Sequence, residues 1–452
     1  MRGQQPVKDI KDQQQQAKMS SGKPTIGFAG LGAMGGGMAT NLVKNGFTVY
    51  GFDVYQPLVD KFVEAGGKPA KTPKEAAEKA DFFVSMVANA PQNTGLIFEG
   101  EDAVVKGLRK DKTFILCSTV APGFLPDARK RLDEEFKRSD IKLLDCPVSG
   151  GTIRAANGTL SIFSSGPSAD LDAAKEVLEC LSGNLYRHGD ISNGQKIKAI
   201  HQLLAATNII SASEAMGLAA TVGINTQQVM EHVNGSDGAS FMFENRSPHM
   251  INNDWSALSA LGIILKDTYI VTDTARAESF PAPLANTAHY SYLQGVQAGQ
   301  LKEDDAKLVQ LYLPPSQGDL VAQTAKADTN MSSSHQVSKE TIADLLAGIH
   351  LGASIEGMAF CKALGQDRNL MYEIISKAAG WNAMFTKSIP GMLEKDSWSL
   401  RDCPQAPEVG KKLSAAVEKC RLLGYPCPMA AAALQQFAFA FLGTETMSSK
   451  PQ

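Results

Sequence analysis

Gly30-Leu31-Gly32-Ala33-Met34-Gly35 decides the fold of this chain. A strand-like run, Pro24 to Ala29, precedes it and a helix-like run, Met38 to Asn45, follows. Glycines at these spacings let the turn tighten, let backbone approach a pyrophosphate, and let the helix pack on the strand, with the phosphates at the positive helix N-terminus. The pattern alone arises by chance, so its context matters. A second strand candidate, Phe47 to Phe52, ends at Asp53, where a carboxylate can accept hydrogen bonds from an adenosine ribose. The stretch therefore predicts a dinucleotide site formed by Gly30, Leu31, Gly32, Ala33, Met34, Gly35 and Asp53, with NAD as the cofactor.

Working outward, residues 24–190 alternate strand-like and helix-like segments. Strand candidates include Asp81 to Val87, Thr113 to Ser118, Lys142 to Asp145 and Leu160 to Ser164; helix candidates include Pro57 to Ala65, Pro73 to Lys79, Pro122 to Phe136 and Asp170 to Leu181. Thr72-Pro73-Lys74-Glu75 carries an N-cap, a Pro at the first helical position and a Glu that closes a capping box. Such alternation predicts an α/β, doubly wound, mostly parallel sheet of the Rossmann kind. From Gly194 onward Ala, Leu and Met at helical spacing take over, which predicts two all-α domains, 191–314 and 339–446. A polar stretch, 315–338, reads as a flexible linker, and residues 1–23, Gln-rich and without an apolar core, read as a disordered tail.

The two helical blocks read as copies. At an offset of 142 residues, Leu203-Leu204-Ala205 recurs as Leu345-Leu346-Ala347, Glu214 and Met216 as Glu356 and Met358, and Met242-Phe243 as Met384-Phe385. Gly223 and Gly238 match Gly365 and Gly380, and after a three-residue slip Phe280-Pro281-Ala282-Pro283 matches Tyr425-Pro426-Cys427-Pro428. Two copies make a duplicated domain, not a solenoid.

Bulk properties exclude several classes. A chain of 452 residues exceeds one ordinary core, and a net charge of -3 offers no concentrated basic surface for nucleic acid. No window has the ~18 consecutive apolar residues of a membrane span. The seven cysteines, spread thinly with no C-x-x-C pair, suit reduced thiols and a cytoplasmic location. The seven histidines are scattered without metal-ligand spacing, so no metal is expected.

Two motifs carry chemistry. Asp145-Cys146-Pro147-Val148-Ser149-Gly150-Gly151 ends a strand, and a Ser-Gly-Gly turn there is either plain structure or a set of backbone N–H groups that holds a carboxylate. Gly194-Gln195-Lys196-Ile197-Lys198 opens the first helical block. A lysine at a domain junction beside a nicotinamide can exchange a proton with a substrate hydroxyl, its pKa lowered by burial and by the cofactor's positive charge.

Together with the glycine fingerprint, Cys117-Ser118-Thr119, Gly158 and these two motifs, residues 24 to about 314 resemble the β-hydroxyacid dehydrogenase family, which includes 3-hydroxyisobutyrate dehydrogenases and, more distantly, 6-phosphogluconate dehydrogenases. The resemblance implies that Lys198 is the general acid/base and that Ser149, Gly150 and Gly151 help hold the substrate. It also implies that Thr119 and the loop Val87-Ala88-Asn89 border the cofactor, and that Lys266 is a late cofactor-contacting lysine. Most of the family carries Asn-Asn one turn after the lysine; this chain has His201-Gln202. That departure, with Met242 to Arg246 and Lys302 to Asp305, resembles the L-threonate dehydrogenase branch. His201 and Gln202 then become candidate contacts to a polyhydroxylated acid, at i+3 and i+4 from the lysine.

The resemblance implies an NAD-dependent oxidoreductase acting on a small hydroxy acid. In that family, helical domains of two subunits pack together, so the second block, with Glu340 where Lys198 stands in the first, is expected to make an internal pseudo-dimer and a monomer or low-order homo-oligomer. Reduction of an imine or an aldehyde acid, and a cofactor-binding regulatory pseudoenzyme, are the rival readings; Lys198 argues against the imine and pseudoenzyme alternatives.

Overall fold

The computed structural model describes residues 22–257, 259–327 and 337–442. Six parallel strands form the main sheet: β1 (Ile26–Ala29), β2 (Val49–Phe52), β3 (Lys68–Pro69), β4 (Phe82–Ser85), β5 (Thr113–Leu116) and β6 (Lys142–Asp145). Their order is β3-β2-β1-β4-β5-β6. β1 pairs in register on both sides, Ile26 opposite Val49 and opposite Phe82, and all four of its residues are buried. The strand order reverses beside β1, so the crevice at its C-terminal end, where Gly30 begins the turn, is the topological switch point.

The strand at Leu160 forms where expected but not in the expected sheet. β7 (Val148–Ser149), β8 (Leu160–Ser164) and β9 (Ser182–Arg187) make a separate three-stranded sheet, with β8 antiparallel to β7 and parallel to β9. Gly150 (φ 141°) and Gly151 (φ 73°) turn the chain after β7 into the short helix Gly151–Asn157, which brings β8 back against β7.

The helical region is built on two long helices, Asn193–Thr221 and Lys339–Ala363, packed against each other. By length and mean hydropathy either could cross a membrane, yet their apolar windows are 100% and 89% buried inside the protein, so they serve as core helices. The first has almost no exposed face, because the helices around it and the second long helix cover every side. Ser240 and Asn382, which stand at the same position in the two blocks, pair with each other in an antiparallel bridge. Each also caps its own helix, accepting from Phe243 N and Phe385 N.

The stretch expected as a flexible linker is partly built into the fold. Leu320–Thr324 is helical, and Val321 and Thr324 are buried. Thr226 donates to the Val321 carbonyl at 2.7 Å, and the Asn225 amide to the carbonyls of Ala325 (3.1 Å) and Ala327 (3.0 Å). The apolar pair Leu320-Val321 supplies the anchor that overall polarity concealed. Residues 328–336 of that stretch, the tail up to residue 21 and the end of the second block beyond residue 442 lie outside the described residues.

Candidate active site

The glycine turn is shaped as its sequence requires. Gly30 has φ 90°, and a Cβ there would sit 2.5 Å from the Met86 carbonyl oxygen, so only glycine fits between β1 and β4. A Cβ at Gly35 would strike the Gly30 carbonyl oxygen, which lets the helix Gly35–Lys44 start hard against the turn. Gly32, by contrast, faces open space. Ala33 and Met34 carry the turn into the helix, Met34 at its N-cap and no acid in its first turn. Asp53 accepts from Leu31 N at 2.7 Å through one oxygen and from Tyr55 N at 2.9 Å through the other, which places its carboxylate at the mouth of the turn. Open space over Gly32, an acid-free helix N-terminus and a carboxylate one strand away fit a dinucleotide: pyrophosphate on the turn, ribose at Asp53.

The other cofactor candidates meet at one clip. The Lys266 ammonium donates to the carbonyls of Ala88 (3.2 Å) and Thr119 (3.1 Å), tying the loop after β4 to the loop after β5. Ser118 donates to the Val87 carbonyl in the same place, and Asn89 caps the following helix, Ala90–Phe98.

Behind the clip runs a continuous polar chain. Lys266 is ion-paired with Asp267 at 3.1 Å, the Gln202 amide donates to Asp267 at 2.6 Å, and Gln202 Oε1 lies 2.8 Å from His201 Nδ1. His201 Nε2 lies 3.3 Å from the Ser149 hydroxyl. The chain fixes the tautomer. Asp267 can only accept, so Gln202 presents its oxygen to His201; Nδ1 therefore carries the proton, and Nε2 accepts from Ser149. Burial and the Lys198 charge push His201 down to about 3, so the ring stays neutral. A serine–histidine pair of this geometry invites comparison with a nucleophile and its base, but an imidazole held so far below its ordinary value is a poor proton acceptor for serine.

Lys198 lies one turn before His201 on the same helix and is 5% exposed. Burial pushes its ammonium down to about 8; Asp267 opposes the shift and Lys266 adds to it. A lysine poised near neutrality can take or give a proton at working pH. The positive φ of Gly150 and Gly151 puts the backbone next to Ser149 in a conformation that other residues rarely adopt.

Three further residues organise the junction, and none had been singled out from sequence as a site residue. Asp145, buried at the end of β6, accepts from Gln195 N and Gln195 Nε2, both at 2.9 Å, and from Ser165 at 3.3 Å. Burial pushes it up to about 7 while these donors hold it down. Gln195 also donates to the Ser118 carbonyl and accepts from Val120 N, so one side chain joins β6, the loop after β5 and the helix bearing Lys198. Asp267 is the third. Asp145 and Gln195 stood inside the quoted motifs and Asp267 directly after Lys266; adjacency was the only signal.

Comparison with known proteins agrees with this architecture. Residues 25–189 match the NAD binding domain of 6-phosphogluconate dehydrogenase. The NAD-binding domain of NADP-dependent 3-hydroxyisobutyrate dehydrogenase matches twice, at 192–312 and 336–448. L-threonate dehydrogenase of Cupriavidus necator is 38% identical over 288 residues, 64% of this chain and 95% of that protein. The mitochondrial 3-hydroxyisobutyrate dehydrogenase of Mus musculus is 29% identical, over 65% of this chain and 88% of its own length. A crystal structure of 3-hydroxyisobutyrate dehydrogenase from Salmonella typhimurium superposes with a TM-score of 0.60 at 34% identity, covering 64% of this chain and all of that one. With a nucleotide-binding sheet, a glycine turn shaped for a dinucleotide and matches across both regions, the chain belongs to the NAD-dependent β-hydroxyacid dehydrogenase family.

Proposed function

We propose that the protein oxidises a short polyhydroxylated acid of the L-threonate kind with NAD, and that Lys198 is the general acid/base. The observation that carries this is the buried Lys198 ammonium, lowered to about 8 at the junction of the two lobes. In this reading the turn Ser149-Gly150-Gly151 holds the substrate carboxylate, and neutral Lys198 takes the proton of the hydroxyl being oxidised. His201 and Gln202 line the same helix face and recognise further hydroxyls, His201 through its link to Ser149. Gly30 to Gly35 and Asp53 would hold the cofactor, with Val87, Ala88, Asn89, Thr119 and Lys266 along its nicotinamide side. When bound, the nicotinamide supplies the hydride acceptor. The L-threonate relatives support the substrate class. Screening three- and four-carbon hydroxy acids for NADH absorbance tests it; turnover restricted to substrates lacking a hydroxyl beyond the one oxidised would refute the polyhydroxylated class.

The two helical blocks, in the same proposal, are copies paired within one chain as an internal pseudo-dimer carrying one site. The twofold family match and the Ser240–Asn382 bridge support this, since residues at equivalent positions meet each other only across a twofold axis. The second copy has Glu340 in place of the lysine, and where Gln202 bonds Asp267 in the first it has the ion pair Asp344–Lys412 at 3.4 Å. Light scattering tests the assembly. A mass of one chain agrees with it, and an obligate dimer joined through the first long helix would refute it.

A further inference from the structure

One segment of the second helical block, 366–381, reaches the Lys198 site of the first. Gln366, buried, donates to Asn193 Oδ1 at 3.1 Å, and Asn193 is the first residue of the helix that bears Lys198. Beside it, Asp367 lies close enough to His188 for its charge to be felt there. Farther along, the Asn208 amide lies 3.3 Å from the Gly380 carbonyl and 3.4 Å from that of Trp381. Gly380 sits directly under the turn that ends at His201: a Cβ there would lie 3.2 Å from the His201 carbonyl oxygen and 3.3 Å from Leu204 Cβ. Between the two ends runs a ladder of rings, His188 to Tyr186 at 6.4 Å, Tyr186 to Phe163 at 6.1 Å and Phe163 to His201 at 5.8 Å. The segment thus touches the start of the Lys198 helix and its His201 turn, and its Asp367 lies near His188, the residue that follows β9.

On the other side of that helix, Gln195 and Asp145 fix it to the nucleotide-binding lobe. The first two turns are therefore held between Gln195 on one side and segment 366–381 on the other. A hydroxyl, a proton acceptor and a hydride acceptor must be aligned to within fractions of an ångström. Play in these turns would move Lys198, His201 and Gln202 together.

We propose that Gln366 and Gly380 are positioning residues for the dehydrogenation, and that segment 366–381 is a platform that sets the Lys198 turn against the nucleotide-binding lobe. The second block then completes the site without touching substrate. This rests on Lys198 being the proton acceptor.

The test uses the full chain. Gly380→Val drives a branched side chain against the His201 carbonyl, and Gln366→Ala removes the tie to Asn193. Gly391→Ala, in the same block where an added methyl meets nothing within 4 Å, is the control. Gly380→Val is expected to lower kcat about 10–100-fold with NADH affinity nearly unchanged. The pH midpoint of kcat/KM should also move upward, because a displaced turn lets water reach Lys198, with Asp267, Lys266 and His201 still around it. Gln366→Ala should show the same pattern more weakly and decides the matter if Gly380→Val fails to fold. Unchanged kcat and pH midpoint in the folded variants would overturn the platform, as would equal loss in the control. A Lys198→Met enzyme that keeps its rate would instead overturn the acid/base reading beneath it.

Discussion

Glu214 and Glu356 cap each other's blocks. Glu214 accepts from the backbone N–H of Met429 (2.8 Å) and Ala430 (3.0 Å), at the start of the helix Pro428–Ala440. Glu356 accepts from Leu284 and Ala285, both at 3.0 Å, at the start of the helix Pro283–Gln297. Each carboxylate is buried, and each satisfies two N–H groups that a helix terminus leaves without partners. The two blocks are interlocked by exchange of equivalent contacts.

Removing either carboxylate strands two buried N–H groups. Glu214→Ala and Glu356→Ala should each lower stability by about 2–6 kcal/mol, at about 1–3 kcal/mol for each stranded N–H, read as a shift in the urea midpoint. A midpoint equal to that of the parent protein would show that the caps are dispensable.

Lys198→Met keeps the bulk of the stem and removes the proposed proton acceptor. Turnover should fall about 10²–10⁴-fold while NADH affinity stays close to that of the parent. Under the proposed role, oxidation by the parent enzyme needs the neutral amine. The rate should therefore rise with pH and level off above a midpoint at or below about 8, since the charge of oxidised nicotinamide adds to the effect of burial. A rate that falls through that range in the oxidative direction would exclude the role.

Asp267→Asn gives a signed test of the same lysine. The Asp267 carboxylate favours the charged form of Lys198, so its loss should move the rising limb of the pH profile to lower pH. Its ion pair with Lys266 is lost too, loosening the clip on the carbonyls of Ala88 and Thr119. A limb displaced to higher pH would contradict the assigned electrostatics.

NAD should be preferred over NADP. A 2′-phosphate would meet the Asp53 carboxylate, and a like-charge clash of several kcal/mol corresponds to a preference on the order of 10²–10³ in kcat/KM. Asp53→Ser should narrow that gap. Equal efficiency with both cofactors in the parent enzyme would remove Asp53 from this role.

Much of the nucleotide-binding lobe was legible because its signals are local. The turn at Gly30 needs glycine for a steric reason written in one residue, and the helix at Pro73 is announced by Thr72, whose hydroxyl accepts from Glu75 N; the Glu75 carboxylate does not close the expected capping box but accepts from Lys71 N, one residue before the cap. The site was legible in its motifs but not in its wiring. Lys198, Ser149 and Lys266 were named from sequence, whereas the Gln202–Asp267 bond joins residues 65 apart and no periodicity predicts it. The separate sheet around β8 was missed because sheet membership is decided by long-range pairing, here between Val148 and Ile162. Leu320-Val321 was missed because two apolar residues hardly change the mean of a polar stretch.

The Asp344–Lys412 pair has a consequence for how this protein can change. In an assembly of two identical chains every substitution appears twice, so a residue needed in one half must be kept in both. Here each half is encoded separately. Outside segment 366–381, the half that carries Glu340 is free to trade buried polar contacts for surface charge, as at Asp344–Lys412, and the other half need not follow. In the proposed pseudo-dimer the same separation would leave one cofactor per chain and no twin site to communicate with. Saturation by NAD would then be a simple hyperbola, and any sigmoidal response would have to come from contacts between whole chains.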